Sequence, residues 1–223
     1  MKERTEKERY SQPEEIRVTE DPDEVARLEG RNGLLQFDEV KRLIQDSLRD
    51  QSRFRLRPSA ILRLNGVALH DIERQGGTYR TCGMTIEGSG HIPPVAEDVP
   101  LLMEEMCDYV NENWTRSALH LAAYVMWRIN WIHPFVDGNG RTARAVSYFI
   151  LCVRMGSILP GTKTIPDHIV DDKQPYWKAL EKADDVWKLD EFVDVSDLET
   201  YLKEMLSRQL LTVVEAAAVT NVQ

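Results

Sequence analysis

The residues of this chain best suited to chemistry lie in one short segment, HPFVDGNGRTAR, which runs from His133 to Arg144. His133 can accept a proton near neutral pH. Asp137 is a carboxylate of the kind that Mg²⁺ prefers as a ligand. Arg141 and Arg144 are three residues apart, so on a helix they share a face and can each fork onto phosphate oxygens. This set of side chains predicts chemistry on phosphate groups.

The GNG sequence at residues 138–140 stands where an apolar helix is expected to begin. Glycines allow backbone N–H groups to approach a ligand closely, and the first turn of a helix leaves its N–H groups unpaired and partly positive. Each feature alone has an ordinary structural interpretation, as a turn, a helix cap or a solvated arginine pair. Their coincidence in one segment favours an active site that works on the phosphates of a nucleotide.

Apolar residues recur at spacings of three and four along most of the chain, which predicts an all-α fold. The EGRNG sequence at residues 29–33 predicts that the first helix is broken into two. The exception to helix is GGTYRTCGMTIEGSGHIPP, residues 76–94, whose glycines bracket strand formers and predict a small β-hairpin flap. The predicted helices cover Asp23 to about Asp50, Pro58 to about Arg74, Val99 to about Asn113, Ser117 to Ile132, about Arg141 to Met155, Gln174 to Ala183, and Leu198 to about Val214.

Composition narrows the class of protein. The net charge of -9 argues against general nucleic-acid binding, which needs a basic surface. No apolar run approaches the roughly 20 residues that span a bilayer, and the charged start of the chain is unlike a signal peptide. Three widely spaced cysteines without a CxxC pair are typical of reduced thiols, so we predict a cytoplasmic protein. The apolar stretch from Leu210 to Val219 can pack against the domain itself or in a homo-oligomer.

The segment from His133 to Arg144 resembles the Fic family signature, HPFx[DE]GNGRxxR, at every defined position. The similarity extends to the predicted flap, to VPLLMEEMCDYVNE and to IPDHIVDDKQPYWKALEKAD, and covers roughly Leu34 to Phe192. It implies a Fic-type helical bundle with the flap over the active site. The implied organisation is a flexible N-terminal arm at 1–20, an inhibitory helix at 21–33, the Fic domain at 34–195 and a C-terminal helix at 196–223.

Enzymes of this family typically transfer AMP from ATP to a Ser, Thr or Tyr hydroxyl of a target protein. The resemblance implies that His133 is the base and that Asp137 holds Mg²⁺. It also implies that the flap covers the nucleotide and pairs with the backbone of the target protein as an added strand. The nucleotide contacts implied by the resemblance are Gly138, Asn139, Gly140, Arg141, Thr142, Ala143 and Arg144 in the signature, Ile86, Glu87, Gly88 and Ser89 in the flap, Tyr176 beside adenine and Asp184 beside ribose. Some relatives have Asn at the position of Asp184.

Many Fic proteins inhibit themselves with a helix of the pattern [ST]xxxE[GN], whose glutamate pairs with the second arginine of the signature. The sequence VARLEG, from Val25 to Gly30, resembles that pattern except that Val25 replaces Ser or Thr. We therefore hypothesise that Glu29 pairs with Arg144 and restrains the enzyme. Three alternatives stay open: removal of AMP from a modified protein, transfer of another nucleotide or phosphate group, and a nucleotide-binding regulatory module without turnover.

Overall fold

The computed structural model describes residues 17–86 and 88–220, with side chains described as far as residue 213. Helices dominate these residues, which confirms the predicted all-α fold. Two short 3₁₀ helices, at Gln51–Arg53 and Ala96–Asp98, lie between longer elements. The α-helices of the described residues are α1 (Pro22–Arg49), α2 (Pro58–Ala68), α3 (Val99–Glu112), α4 (Ala118–Ile132), α5 (Asn139–Met155), α6 (Ile165–Asp171), α7 (Gln174–Asp190) and α8 (Ser196–Thr220).

Helices α4 and α5 form the centre of the molecule. Most residues of α4 and of α5 are buried, as the apolar composition of both segments predicts. Helices α1 and α2 pack against α5, while α3, α7 and α8 pack against α4. Because residues 133–138 connect the two central helices, the signature loop lies at one end of the core.

Helix α1 is continuous through the EGRNG sequence, so the predicted break is wrong. Its buried positions follow a spacing of four residues across both glycines: Leu28, Asn32, Gln36, Val40 and Ile44. The Asn32 side chain donates hydrogen bonds to the Ala68 and His70 carbonyls at 3.3 and 2.7 Å. The Gln36 side chain donates to the Leu64 carbonyl at 3.0 Å. These contacts with α2 hold the helix together where its own propensity is weakest.

The other predicted helices form, with clearly different ends in three cases, one of which is α8, which continues to Thr220 rather than ending near Val214. Helix α2 stops at Ala68 rather than near Arg74, and α7 continues to Asp190. The short helix α6 was not predicted from the sequence. It begins with a capping box in which the Thr164 side chain and backbone N–H both bond to the Asp167 carboxylate. The T-x-x-D spacing was therefore a readable signal of a helix start.

The predicted β-hairpin at residues 76–94 is not confirmed. Apart from Glu87, which lies outside the described residues, this segment contains no strand; a turn closes its tip, where the Ser89 N–H donates to the Ile86 carbonyl at 3.2 Å. Antiparallel pairing is limited, within the described residues, to one isolated bridge between Arg17 and Glu73. We keep the name flap for residues 76–94. Residues 1–16 of the predicted N-terminal arm also lie outside the described residues.

Among the described residues, no helix combines the length and the apolarity that crossing a membrane requires.

Replacing Gly30 or Gly33 by alanine should stabilise the protein. An added Cβ meets no atom within 4 Å at either position, and alanine in a helix interior is favoured over glycine by about 0.5–1 kcal/mol. The free energy of unfolding, measured in urea, should rise by about that amount for each variant.

Gly156→Ala is the matched control for these glycine variants, because Gly156 ends α5 with φ +81°. That variant should lower the free energy of unfolding, since alanine rarely adopts positive φ. A loss of stability in Gly30→Ala would show that α1 is interrupted there.

Candidate active site

His133 ends helix α4 and is presented by an unusual backbone. The following residue is Pro134, which disfavours right-handed helical geometry at the residue before it. His133 adopts φ 51° and ψ 59°, in the left-handed region, and its N–H donates to the Ile129 carbonyl at 2.9 Å. Non-glycine residues held in this region are uncommon and concentrate at functional sites. The chain therefore turns away from the helix axis at the histidine itself.

The His133 imidazole is set up as a neutral proton acceptor. Its Nδ1 lies 3.3 Å from the Asn130 carbonyl oxygen; because a carbonyl can only accept, Nδ1 carries the proton and Nε2 keeps its lone pair. Burial lowers the pKa of His133 to about 4, and the positive charge of Arg80 acts in the same direction. The side chain is thus unprotonated at neutral pH, as a general base must be.

Helix α5 begins with an anion-binding turn. Gly138 adopts φ +76° before the helix, and an added Cβ would lie 3.0 Å from the Asn65 amide nitrogen. The first N–H bonded within the helix is that of Thr142, which donates to the Gly138 carbonyl at 2.9 Å. Helix geometry leaves the N–H groups of residues 139–141 without intrahelical partners. These groups and the helix dipole can together bind a phosphate.

Three signature residues do something other than the predicted nucleotide contact. The Asn139 side chain accepts from the Phe135 N–H at 2.9 Å and donates to the Phe135 carbonyl at 2.8 Å, so both ends of its amide close the loop rather than orient a phosphate. Thr142 and Ala143 are fully buried in the core. Only the backbone of Asn139 is available to a nucleotide, and the Thr142 and Ala143 side chains are not.

The arginine pair is divided between two environments. Arg141 lies 3.1 Å from Glu29 and 3.3 Å from Asp137, each measured from guanidinium nitrogen to carboxylate oxygen. Arg144, by contrast, has no carboxylate within 4.0 Å in the part of the chain that the structure describes. Burial lowers its pKa. Arg144 is therefore the less neutralised of the two cations, and its guanidinium lies beside Gly140, 3.3 Å from the position of an added Cβ.

The hypothesised partner of Glu29 is accordingly wrong by one helical turn. Glu29 pairs with Arg141, the first arginine of the signature, and not with Arg144. The continuity of α1 is the physical reason, because a helix that is not broken at Gly30 fixes where residue 29 stands over α5. The pair is partly solvated, with side-chain exposures of 46% for Glu29 and 26% for Arg141.

A cleft of about 810 Å³ opens beside the arginines. Helix α1 forms one wall, α5 the floor, and α6 with the loop before it the other wall. Its size is within the range of small-molecule sites. The residues that line it are Glu29, Gly30, Gly33, Leu34, Gln36, Phe37 and Val40 of α1, Arg141, Arg144, Ala145 and Tyr148 of α5, and Thr162, Thr164, Pro166, Asp167, Val170 and Lys173 beyond α5.

Tyr176 and Asp184 do not line this cleft, and both are engaged in the core. Tyr176 is 2% exposed, its hydroxyl accepts from the Asn130 amide at 2.8 Å, and burial raises its pKa to about 12. The buried Asp184 carboxylate accepts from the Trp127 indole N–H at 2.8 Å. Both side chains therefore pack in the core, and their contacts with adenine and ribose stay predictions.

The flap residues that the resemblance implicates lie at its tip. Gly88 is exposed and Ile86 and Ser89 are half-buried, so these three are accessible from outside, while Glu87 lies outside the described residues. His91 lies just after the flap tip, and its Nε2 donates to the Trp131 carbonyl at 2.7 Å. That contact joins the flap to the end of α4, next to His133.

Two buried residues that organise the site were missed by sequence reasoning. Asn65 of α2 donates to the Asp137 carbonyl at 3.0 Å and to the Thr142 hydroxyl at 3.2 Å, and accepts from the Gly77 N–H at 2.9 Å. Arg80 of the flap donates to the His133 carbonyl at 2.7 Å. The readable signal for Asn65 was a polar residue on the apolar face of α2; nothing in the local sequence distinguishes Arg80.

Asp137 is the candidate ligand for Mg²⁺. One of its carboxylate oxygens accepts from the Gly138 N–H at 2.5 Å, the other faces Arg141, and the side chain is 40% exposed. No group of three or more His, Cys, Asp or Glu residues able to hold a metal occurs within the described residues. A single accessible carboxylate fits Mg²⁺ that takes its remaining ligands from phosphate and water.

Comparison with known proteins agrees with this geometry. Residues 55–151 match the model of the Fic/DOC family. The chain is similar to Protein adenylyltransferase Fic of Drosophila willistoni, with 30% identity over 128 residues that make up 56% of this chain and 25% of the relative. The chain thus spans about a quarter of the length of that curated relative.

Two solved structures resemble the fold. A Fic domain containing signaling protein from Bacteroides thetaiotaomicron VPI-5482 aligns with TM-score 0.67 and 25% identity, over 82% of this chain and 70% of that one. A Fic family protein from Desulfovibrio desulfuricans G20 aligns with TM-score 0.64 and 24% identity, over 93% of this chain and 57% of that one. The helical arrangement around the signature loop is therefore shared with these proteins.

The low pKa of His133 predicts how stability depends on pH. Since the pKa is about 4 in the folded chain and 6.5 without burial, folding favours the neutral imidazole, and this contribution is lost as pH falls from about 6.5 towards 4. At pH 5 the loss should reach about 2 kcal/mol. His133→Gln does not titrate, so between pH 7 and pH 5 its free energy of unfolding in urea should fall by about that much less. Identical pH dependence in the two proteins would contradict the assignment.

Proposed function

We propose that this chain, whose residues 55–151 match the model of the Fic/DOC family, is a protein AMP transferase that uses ATP. The observation that carries the proposal is a neutral, half-buried histidine beside a helix N-terminus, with an arginine nearby that has no carboxylate partner among the described residues. A base, an anion hole and an uncompensated cation are the groups that phosphoryl-transfer chemistry needs. The proposal assigns ATP as the donor and a protein hydroxyl as the acceptor.

In the proposed reaction, a hydroxyl oxygen of the target attacks the α-phosphorus of ATP. The new P–O bond forms as the bond to the β-phosphate breaks, the hydroxyl proton passes to His133 Nε2, and pyrophosphate leaves. The N–H groups of residues 139–141 bind the oxygens of the reacting phosphate. Arg144 binds the leaving end, where its charge is least compensated. The division matches the general finding that positioning and charge stabilisation dominate such catalysis.

Asp137 would hold Mg²⁺ between the loop and the phosphates, and the metal when bound would neutralise charge on the phosphate oxygens. The carboxylate already keeps one oxygen fixed by the Gly138 N–H. Its contact with Arg141 must loosen or rearrange when a cation binds, because both draw on the same oxygen.

The target protein would dock on the flap, whose tip at Ile86, Gly88 and Ser89 is accessible. An extended segment of the target can pair with the exposed flap backbone as an added strand. The absence of a hairpin within the described flap residues supports this proposal, since their edge groups are not consumed by pairing with one another.

Glu29 restrains the enzyme in this proposal through Arg141 rather than through Arg144. Its carboxylate lies where an oxygen of the leaving phosphates would meet Arg141, so nucleotide and Glu29 compete for the same guanidinium. A partly solvated ion pair contributes roughly 0–1 kcal/mol. The restraint is therefore weak compared with that expected of a buried pair.

Loss of His133 tests the transfer reaction. The protein is incubated with ATP, Mg²⁺ and lysate, and intact-mass and peptide mass spectrometry are used to find an AMP adduct on the chain or on a lysate protein. The native chain should produce the adduct, and His133→Ala should reduce its rate by at least about 100-fold, the usual contribution of a general base.

The same incubation distinguishes the alternatives. A phosphate or a different nucleotide on the product would identify another transferred group. Loss of AMP from a previously modified protein would identify the reverse, hydrolytic activity. An adduct that forms equally well in His133→Ala would contradict the proposed mechanism.

Removal of the Glu29 charge tests the restraint. Glu29→Gln should tighten ATP binding about two- to fivefold, the equivalent of a partly solvated ion pair, and should raise AMP incorporation by a similar factor. Isothermal titration with ATP and a labelling time course measure the two effects. The midpoint of urea unfolding should change little, because the pair is partly solvated.

Glu24→Gln is the matched control for Glu29→Gln. Glu24 pairs with Arg27 at 2.6 Å on the same helix, and among the described residues its side chain makes no ion pair or hydrogen bond to α5. Labelling by this variant should equal that of the native chain. If Glu29→Gln also behaves like the native chain, the glutamate does not restrain the enzyme.

A further inference from the structure

The last carbonyl groups of helix α4 are all engaged by side chains, and most of those side chains come from the flap. A helix leaves these carbonyls without partners of its own. The Asn130 carbonyl accepts from His133 Nδ1 at 3.3 Å, and the Trp131 carbonyl from His91 Nε2 at 2.7 Å. The Ile132 and His133 carbonyls both accept from Arg80, at 3.3 and 2.7 Å. The helix end that carries the base is thus capped from the flap.

Arg80 also bonds to both segments of the flap, the one that leads to its tip and the one that returns from it. Its Nη1 donates to the Cys82 carbonyl at 2.9 Å, and its Nη2 donates to the Pro94 carbonyl at 2.6 Å. The Arg80 backbone N–H donates to the Pro134 carbonyl at 2.9 Å. One planar guanidinium therefore connects the flap segment before the tip, the flap segment after the tip and the end of α4.

The environment of Arg80 is unlike that of an ordinary surface arginine. The residue is 2% exposed, and no carboxylate of the described residues lies within 4.0 Å of it. Its counter-charge comes instead from carbonyl oxygens at the negative end of a helix, where a cation is favoured. A lysine has a single nitrogen and a tetrahedral set of donors, so it cannot span four carbonyls as the guanidinium fork does.

We propose that Arg80 is a positioning residue that holds the flap and the catalytic base in one rigid unit. It acts on His133 through the carbonyl of that residue and on the target protein through the two segments of the flap. The contacts belong to the chain itself and do not depend on a ligand; their consequence for catalysis rests on the proposed AMP transfer. In that reaction Arg80 sets the distance between the base and the hydroxyl that the flap presents.

The contacts that hold the nucleotide-binding turn are separate from the contacts of Arg80. The anion-binding turn of α5 is held by Asn139, which closes the loop, and by Asn65, which fixes the Asp137 carbonyl. Neither contact involves Arg80. A change at Arg80 should therefore disturb turnover and use of the target protein while the affinity for ATP is preserved.

Arg80→Lys is the test, with Arg154→Lys as the matched control. Arg154 likewise donates to two backbone carbonyls, those of Trp114 at 2.8 Å and Thr115 at 3.3 Å, but it lies at the far end of α5, about 22 Å along the helix from Asn139. Arg80→Lys should lower kcat about 100-fold, as a displacement of roughly 1 Å between reacting groups does, and should raise KM for the target. The dissociation constant for ATP should stay within about twofold. Arg154→Lys should leave kcat, KM and ATP affinity unchanged.

Amide hydrogen exchange gives a readout that needs neither nucleotide nor target. In Arg80→Lys the amides of residue 80 and Phe135 should exchange at least about tenfold faster than in the native chain, because the flap and the loop after His133 lose their common anchor. Exchange at the Thr115 end should be unchanged. The exchange measurement tests the role of Arg80 even if the chain transfers no AMP.

A purely structural role predicts different results. Equal loss of kcat in both lysine variants, or loss of ATP affinity in step with kcat, would overturn the inference, and so would unchanged exchange at residue 80 and Phe135. If Arg80→Lys does not fold, the native protein supplies the test by nuclear magnetic resonance. Its Arg80 Nε–H should then exchange no faster than the Arg80 and Phe135 amides, and fast exchange at Nε–H beside protected amides would overturn the inference.

Discussion

The end of helix α4 is the constraint from which the site follows. A buried helix cannot leave its last carbonyls unpaired, because an unsatisfied buried acceptor costs about 1–3 kcal/mol. The helix ends where His133 adopts left-handed geometry before Pro134, so those carbonyls must be bonded by side chains. Arg80 and His91 supply the donors, and both belong to the flap. The need to pair these carbonyl groups therefore brings His133 and the flap together.

The loop after His133 is held from inside by amide side chains. Asn139 bonds to both backbone groups of Phe135, and Asn65 reaches across from α2 to the Asp137 carbonyl. These amides are buried and satisfied, a condition in which polar networks make a structure rigid. Because they do the structural work, the backbone N–H groups at the start of α5 remain available for a phosphate. The binding group is the backbone, and the side chains fix its shape.

Electrostatics divide two arginines that look equivalent in the sequence. Arg141 faces two carboxylates, from Glu29 and Asp137, whereas Arg144 faces none among the described residues, and burial lowers its pKa. A buried cation without a counter-charge is costly, and a bound anion removes that cost. Without a ligand, the site therefore favours the binding of an anion at Arg144. The charge at Arg141 is balanced by Glu29 of α1, so the position of that helix influences the site.

The sequence by itself determined the chemistry and the class of fold. Apolar residues at spacings of three and four fix which segments become helices, and the signature places base, carboxylate, glycines and arginines within one loop and one helical turn, where spacing alone sets their geometry. The tertiary structure decided what depends on contacts between distant residues. Bonds from Asn32 and Gln36 to α2 keep α1 continuous through two glycines, and that continuity moves Glu29 from Arg144 to Arg141. Packing between helices removes Tyr176 and Asp184 from the surface, and Arg80 acquires its role from carbonyls more than 50 positions away. Local propensity acts over a few residues, so no pattern within the chain could report these long-range hydrogen bonds and burials.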